Sequence, residues 1–183
     1  MKSGNIYREF EARNGKKVIL RSAKWEDLDD MVDLINGLVE EEAMISMNAA
    51  VTRSQEVDWL AGVMIKQERD EVAMVVAEAE GHMIGNCLVR PMSGRSRHVG
   101  VIGIIIRSGY RDCGIGAELM LEAEAQSRRL GLEILKLDVY GINSKAIHLY
   151  EKLRYSKMGI LPEGAIMSQG PVDVIHMYKK IKC

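Results

Sequence analysis

One junction constrains this 183-residue chain more than any other feature. The branched apolar run Ile104-Ile105-Ile106 meets the turn Arg107-Ser-Gly-Tyr-Arg-Asp-Cys-Gly114, and a helical pattern begins at once and continues to Leu130. The apolar run predicts a strand over 99–106 that is buried on both faces. The turn reads Arg111-x-x-Gly114-x-Gly116-Ala117. N–H groups at a helix start have no intrahelical acceptor, and the macrodipole adds partial positive charge there, so the geometry suits phosphate. Gly114 and Gly116 keep a Cβ out of the path of an approaching anion. Arg111 either adds a charge-assisted contact or orders the turn. Two glycines at a strand–helix corner also fit a purely structural corner.

Other phosphate motifs do not fit. No G-x-x-x-x-G-K-[ST] occurs, which excludes a P-loop. A dinucleotide fingerprint needs a third Gly or Ala where this chain has Leu119, and it belongs near the first strand.

The remaining patterns predict a mixed sheet with helices on its faces, ordered β-β-α-α-β-β-β-α-β-α-β-β. Asn14-Gly15 joins strands over 7–12 and 17–21 in a hairpin. Leu28, Met31, Ile35 and Leu38 mark one face of a first helix. Thr52 and Gln55 form a capping box for a second, with an apolar stripe of Val57, Leu60, Val63 and Met64. Strands are expected over 72–80, 83–90 and 99–106, and Gly131 should end the helix of 114–130 in a left-handed cap. A strand over 135–140, a helix over 143–153 and strands near 155–161 and 172–181 complete the chain. Pro91, Pro162 and Pro171 should fall at element ends or edges. With no repeat or linker, one domain over 1–183 is expected.

Composition narrows the function. A net charge of −1 gives no basic surface for nucleic acid. Cys87, Cys113 and Cys183 are scattered, with no C-x-x-C pair, so neither a disulfide framework nor a metal site is expected. No signal core or run of about 20 apolar residues occurs, so a cytoplasmic protein without a membrane span is expected.

Downstream, Leu137-Asp138-Val139-Tyr140-Gly141-Ile142-Asn143 leads into Ser144-Lys-Ala146-Ile-His-Leu149-Tyr150. Asn143 and Tyr150 lie about two helical turns apart and share a face. Asn143 also suits a helix cap, and Tyr150 a core position. R-x-x-G-x-G-A, then a strand, then N-x-x-A-x-x-x-Y resembles the GNAT superfamily of N-acetyltransferases, closest in pattern to bacterial and archaeal amino-acid N-acyltransferase-like members. The match is best over 99–155, and the ending Gly170-Pro-Val-Asp173-Val-Ile-His-Met177 is similar too.

The resemblance implies a GNAT acyl-CoA N-acyltransferase fold and acetyl-CoA as co-substrate. Backbone groups of Ile104 and Ile106 would hold the pantetheine arm and acyl carbonyl. The amides of Asp112, Cys113, Gly114, Ile115, Gly116 and Ala117, beside Arg111, would bind the pyrophosphate. Asn143 would bond the pantetheine, and Tyr150 would protonate the departing thiolate after direct attack by a neutral amine. The acceptor would be a small amino compound, with a protein N-terminus or lysine as the alternative. A non-catalytic acyl-CoA-binding module is the reading of another class. A homodimer is also implied.

The chain departs from the family at Leu153-Arg154-Tyr155, often Leu-Gly-Phe, and in having no carboxylate over 99–106. Asp138 stands where some N-terminal acetyltransferases have Glu, which suggests a base acting through water or a structural carboxylate. His98 is a second candidate base or an ordinary strand residue. Cys113, at the helix start, is either reactive or inert. Glu40, Glu41 and Glu42 form either a field for a cationic amine or a solvated charge run. Met44, Met47 and Met64 are packing residues or parts of an acceptor lid.

Overall fold

The structure, a computed structural model, describes residues 2–182; Cys183 lies outside them. The strands are β1 (Ile6–Glu11), β2 (Lys17–Ser22), β3 (Ala73–Ala79), β4 (His82–Pro91), β5 (Val99–Ile106), β6 (Ile134–Tyr140), β7 (Ser156–Met167) and β8 (Gly170–Lys180). The helices are α1 (Leu28–Glu40), α2 (Arg53–Glu68), α3 (Ile115–Arg129) and α4 (Ser144–Lys152). Their order is the one expected from the sequence. All strands join one eight-stranded sheet ordered β1-β2-β3-β4-β5-β6-β8-β7.

Local chemistry sets the boundaries. Gly15, at φ 78°, closes the first hairpin. The Thr52–Gln55 capping box forms: the Gln55 N–H donates to the Thr52 hydroxyl oxygen at 3.3 Å, and Gln55 Oε1 accepts from the Thr52 N–H at 2.8 Å. Gly131, at φ 75°, stops α3, and the Leu132 N–H donates back to the Ser127 carbonyl at 3.0 Å. β7 and β8 begin earlier or run longer than expected because their pairing continues across a bulge between Leu161 and Ala165. That bulge contains Pro162, which an edge strand tolerates because its N–H position need not serve a ladder.

Two apolar layers sandwich the sheet. Leu119, Met120 and Ala123 of α3 pack with Val75, Val89, Ile102, Leu135 and Leu137 on one face. Met31, Leu34 and Leu38 of α1 pack with Leu60 and Met64 of α2 against Met74, Val76 and Met83 on the other. α1 is anchored by a buried ionic cluster. Arg21 donates to both carboxylate oxygens of Asp27, at 2.9 and 2.5 Å, and to Glu78 at 2.6 Å. The Arg21 guanidinium holds the Glu78 carboxyl below its usual range against the opposing effect of burial.

β5 and β6 are parallel neighbours only at their starts. Val99, Gly100 and Val101 pair with Ile134, Leu135 and Lys136, and the strands then part. Ile104 and Ile106 therefore pack on the α3 layer, and Ile105 on the α1–α2 layer, but all three are only partly buried. Full burial on both faces was expected; the missing neighbour beyond Val101 explains the difference.

Because Arg21 and Asp27 are both nearly inaccessible, Asp27→Ala should lower unfolding free energy by about 3 kcal/mol through an undercompensated buried cation. Chemical denaturation of the variant and the parent protein measures this.

Candidate active site

The fork between β5 and β6 leaves one edge of β5 open. The Arg107 N–H donates to the Ile84 carbonyl of β4 at 2.8 Å. Alternation along the strand then turns the backbone groups of Ile104 and Ile106 away from β4, toward the gap. The Ile106 carbonyl confirms the direction by accepting from the Arg111 guanidinium at 3.0 Å.

The glycine turn closes one end of the gap. Asp112 and Gly114 are left-handed, at φ 61° and 88°. Among the described residues, no backbone acceptor meets the N–H groups of Asp112, Cys113, Gly114, Ile115 or Gly116. The Ala117 N–H already donates to the Gly114 carbonyl at 3.1 Å. The two glycines have different roles. A Cβ on Gly116 would meet Ile106 Cδ1 and Leu149 Cδ2 at 3.3 Å, so this glycine allows α3 to pack closely. The bare side of Gly116 thus faces packed side chains and not the path of an anion, whereas a Cβ on Gly114 would have only the Arg13 side chain near it, at 3.7 Å or more.

Charged groups surround the turn. Arg111 pairs with Glu41, and Lys145 with Asp112 at 2.7 Å. Arg13, from the β1–β2 turn, donates its N–H to the Cys113 carbonyl at 3.0 Å, and its guanidinium arm lies beside Gly114. The sequence reading missed Arg13. Only the long-range contact between the first hairpin and the glycine turn reveals it. Cys113 is partly buried, and its sulfur lies 3.2 Å from the Arg111 carbonyl.

α4 supplies two more groups. Asn143 Oδ1 caps the helix by accepting from the Ala146 N–H at 3.1 Å, leaving Nδ2 available. Tyr150 packs in the α3 layer with Ile104 and Ile106, and its ring lies 6.0 Å from that of Tyr155. Its hydroxyl has no hydrogen-bond partner among the described residues, and it is not among the sealed, unpartnered atoms. It therefore reaches open space. Burial, with a smaller effect from Cys87, pushes the Tyr150 phenol above its ordinary value.

The opposite face carries Asp138. Leu135, Leu137 and Val139 point into the α3 layer, so Lys136, Asp138 and Tyr140 point to the α1–α2 side. Asp138 stands directly across from His176 of β8, with Oδ1 2.6 Å from His176 Nδ1. Sequence reasoning overlooked His176 because 38 residues separate the pair. His98 lies elsewhere: it lines a groove of about 1680 Å³ with Trp59, Lys66, Arg90 and Arg97. That groove borders the start of β5, away from the glycine turn.

The loop from α1 to α2 spans the gap. Beyond the Glu41–Arg111 pair, Glu42 accepts from the Ser168 hydroxyl at 2.7 Å, and the Tyr140 hydroxyl donates to the Ile45 carbonyl at 3.2 Å. Glu41 and Glu42 are thus engaged in tethering the loop; they are neither free acceptor ligands nor a merely solvated run. Met44 and Met47 are exposed on this loop, whereas Met64 is core.

The profile of the acetyltransferase (GNAT) family matches residues 37–155, and the chain belongs to that family. It is 25% identical over 158 residues to the putative phosphinothricin acetyltransferase YwnH of Bacillus subtilis, covering 85% of this chain and 94% of that protein. It is 26% identical over 164 residues to an N-alpha-acetyltransferase of Sulfurisphaera tokodaii, covering 82% and 87%. It shares the fold of YncA, a putative acetyltransferase from Salmonella typhimurium solved with its cofactor acetyl-CoA. That match has a TM-score of 0.80 and 17% identity, and covers 90% of this chain and 94% of that one. The protein is an acetyl-CoA-dependent acyltransferase.

Acetyl-CoA should raise the melting temperature, because a co-substrate binds the folded protein and not the unfolded chain. Gly114→Val places a branched side chain at φ 88° and should abolish that rise. A folded variant with the full rise would free Gly114 of this role.

Proposed function

We propose that the chain acetylates the primary amine of a small amino compound by direct attack on the acetyl-CoA thioester. The observation that carries this reading is the open end of β5, reached by Tyr150 from one face and bordered by Asp138 on the other. Similarity to a putative phosphinothricin acetyltransferase supports a small acceptor, as does the tethered α1–α2 loop, which narrows the way in. A peptide N-terminus is the second reading, favoured by similarity to an N-alpha-acetyltransferase.

In this reading the backbone groups of Ile104 and Ile106 hold the pantetheine arm and polarise the acyl carbonyl. The free amides of Asp112, Cys113, Gly114, Ile115 and Gly116 receive the pyrophosphate, and Ala117 shares its amide with Gly114. Arg111 braces this turn against β5, and Arg13 adds positive charge. Asn143 Nδ2 donates to the pantetheine. Tyr150 donates its proton to the departing sulfur, and Asp138 belongs to the apparatus that takes the amine's proton. Thioester and amine held in one cleft need no acyl-enzyme, because the effective concentration replaces one.

The whole chain acts as one domain, and in the cytoplasm. None of its helices among the described residues is long and apolar enough to cross a membrane. A homodimer is supported by the outer strand. β7 exposes Met158 (55%), Ile160 (57%), Leu161 (52%) and Ile166 (85%), an apolar edge that a second copy would cover.

CoA release measured with phosphinothricin, free amino acids and short peptides tests the acceptor class. Release with peptides alone would exchange the two readings. Arg13→Ala should raise the Kd for acetyl-CoA about 10-fold, as loss of one charged contact implies. Tyr150→Phe keeps the ring and removes the proton donor, so kcat should fall by roughly 10-fold or more with little change in acetyl-CoA affinity.

The sign of the pH effect follows from burial. A phenol whose pKa is raised stays protonated through its ordinary value near ~10. Activity that needs the protonated form therefore persists to at least about pH 10 and is lost only above it. A falling limb in wild-type kcat near pH ~8–9 that vanishes in Tyr150→Phe would contradict this assignment.

A further inference from the structure

We propose that His176 is the group that takes the proton from the acceptor amine, and that Asp138 is a positioning residue that fixes its tautomer. The proposal rests on the acetyl-transfer reading above and refines it by naming the proton acceptor.

The geometry is specific. His176 and Asp138 face each other across β8 and β6, one strand pair beyond the point where β5 departs. The Nδ1···Oδ1 distance is 2.6 Å. An ionised carboxylate can only accept, so Nδ1 carries the proton and Nε2 keeps its lone pair. Nε2 has no partner among the described residues, and the ring is 32% exposed, enough to meet a substrate. The carboxylate also stabilises the imidazolium that forms on proton uptake. Asp138 itself, with a side chain 63% exposed and one oxygen occupied by the ring, is the shorter and less suited proton acceptor.

Few other charges face the ring. Lys136 and Tyr140 flank Asp138 on the same face of β6, Tyr178 lies two residues along β8, and β7 contributes Gly159 opposite the ring. The loop over this face presents the Ile45 carbonyl to Tyr140, and its Glu42 is held by Ser168. Among the described residues, Asp138 is the only carboxylate bonded to His176.

The proton count closes. The N–H bond of the acceptor ammonium breaks, and an N–H bond forms at His176 Nε2. The freed lone pair bonds to the thioester carbon, the C–S bond breaks, and the Tyr150 proton passes to sulfur. The surplus proton on the new amide nitrogen returns to the Tyr150 phenolate. His176 releases its proton to solvent, so one proton leaves per turnover.

The test compares His176→Ala, His176→Gln, Asp138→Asn and Tyr150→Phe, with phosphinothricin and an alanine-starting tetrapeptide as acceptors. Loss of the base should lower kcat/KM about 10²-fold or more near pH 7 with unchanged acetyl-CoA affinity. The deficit should shrink as pH rises toward the acceptor's own pKa, because a free amine no longer needs the base; a packing defect would not shrink. Asp138→Asn should give a smaller loss with the same pH trend. Nitrogen-15 NMR of the acetyl-CoA complex provides a readout that needs no acceptor. It should show His176 protonated at Nδ1, and Asp138→Asn should change that state. Wild-type kinetics and pH profile in His176→Ala, alongside a slowed Tyr150→Phe, would overturn the dyad and leave acetyl transfer standing. If no acceptor is acetylated, the acceptor reading fails, and the NMR result alone then decides: an Nε2–H tautomer overturns the dyad.

Discussion

The parting of β5 and β6 is the constraint on which the rest of the molecule depends. Three residue pairs join the two strands, and then the ladder stops while both strands continue. Backbone groups left without partners inside a protein are costly. Here they are tolerated because they line an open cleft that water or a ligand enters. The cleft must stay open against the tendency of neighbouring strands to pair. α4 follows β6 directly and packs Leu149 and Tyr150 beside Ile104 and Ile106, which holds the gap from below. β8, inserted between β6 and β7, occupies the other edge of β6 along its whole length. β6 is therefore fixed from the far side and has no freedom to swing back onto β5.

The glycine turn makes use of the same opening. β5 ends beyond the point where its pairing with β6 stops, so the start of α3 and its unpaired amides lie at the open end. The turn is rigid because different parts of the chain grip it. Arg13 bonds Cys113, Arg111 reaches back to Ile106, and Lys145 holds Asp112. These contacts come from the first hairpin, the turn itself and α4. A site assembled from such distant segments is preorganised by the fold as a whole, which is how fixed amides come to stabilise charge without reorganising. The ion pair of Arg111 with Glu41 ties the glycine turn to the α1–α2 loop.

Much of this was readable from the sequence because the signals are local. The Thr52–Gln55 capping box, the turn at Gly15 and the caps at Asn143 and Gly131 each need only neighbouring residues, and each formed as expected. The element order followed from periodicity for the same reason. What escaped depends on pairing between distant segments. Ile104 to Ile106 read as fully buried because no local rule announces that a neighbouring strand will turn away. Gly116 looked like an anion-facing glycine, yet its bare side faces Leu149 of a helix 33 positions later. Glu41 and Glu42 looked like a free charge run because their partners, Arg111 and Ser168, lie far along the chain. His176 passed unnoticed for the same reason, and only the β6–β8 register places it against Asp138.

That register also explains why the sheet can divide the chemistry. Side chains alternate across a strand, so consecutive residues of β6 serve opposite faces. Leu137 and Val139 join the layer that contains Tyr150, and Asp138 between them joins the layer that contains His176. A phenol is thereby buried on one side of the fork and a partly exposed histidine–carboxylate pair set on the other. Burial keeps the Tyr150 phenol protonated, and in the proposed reaction it would give up its proton only as the C–S bond breaks and charge builds on sulfur. Exposure suits the pair in the proposed role, because an amine would enter from solvent and its proton would return there. Placing both groups on one face would force a single environment on two opposite tasks. In the proposed reaction, separating them across the gap would let the thioester lie between, with its carbon open to the amine and its sulfur turned toward the phenol.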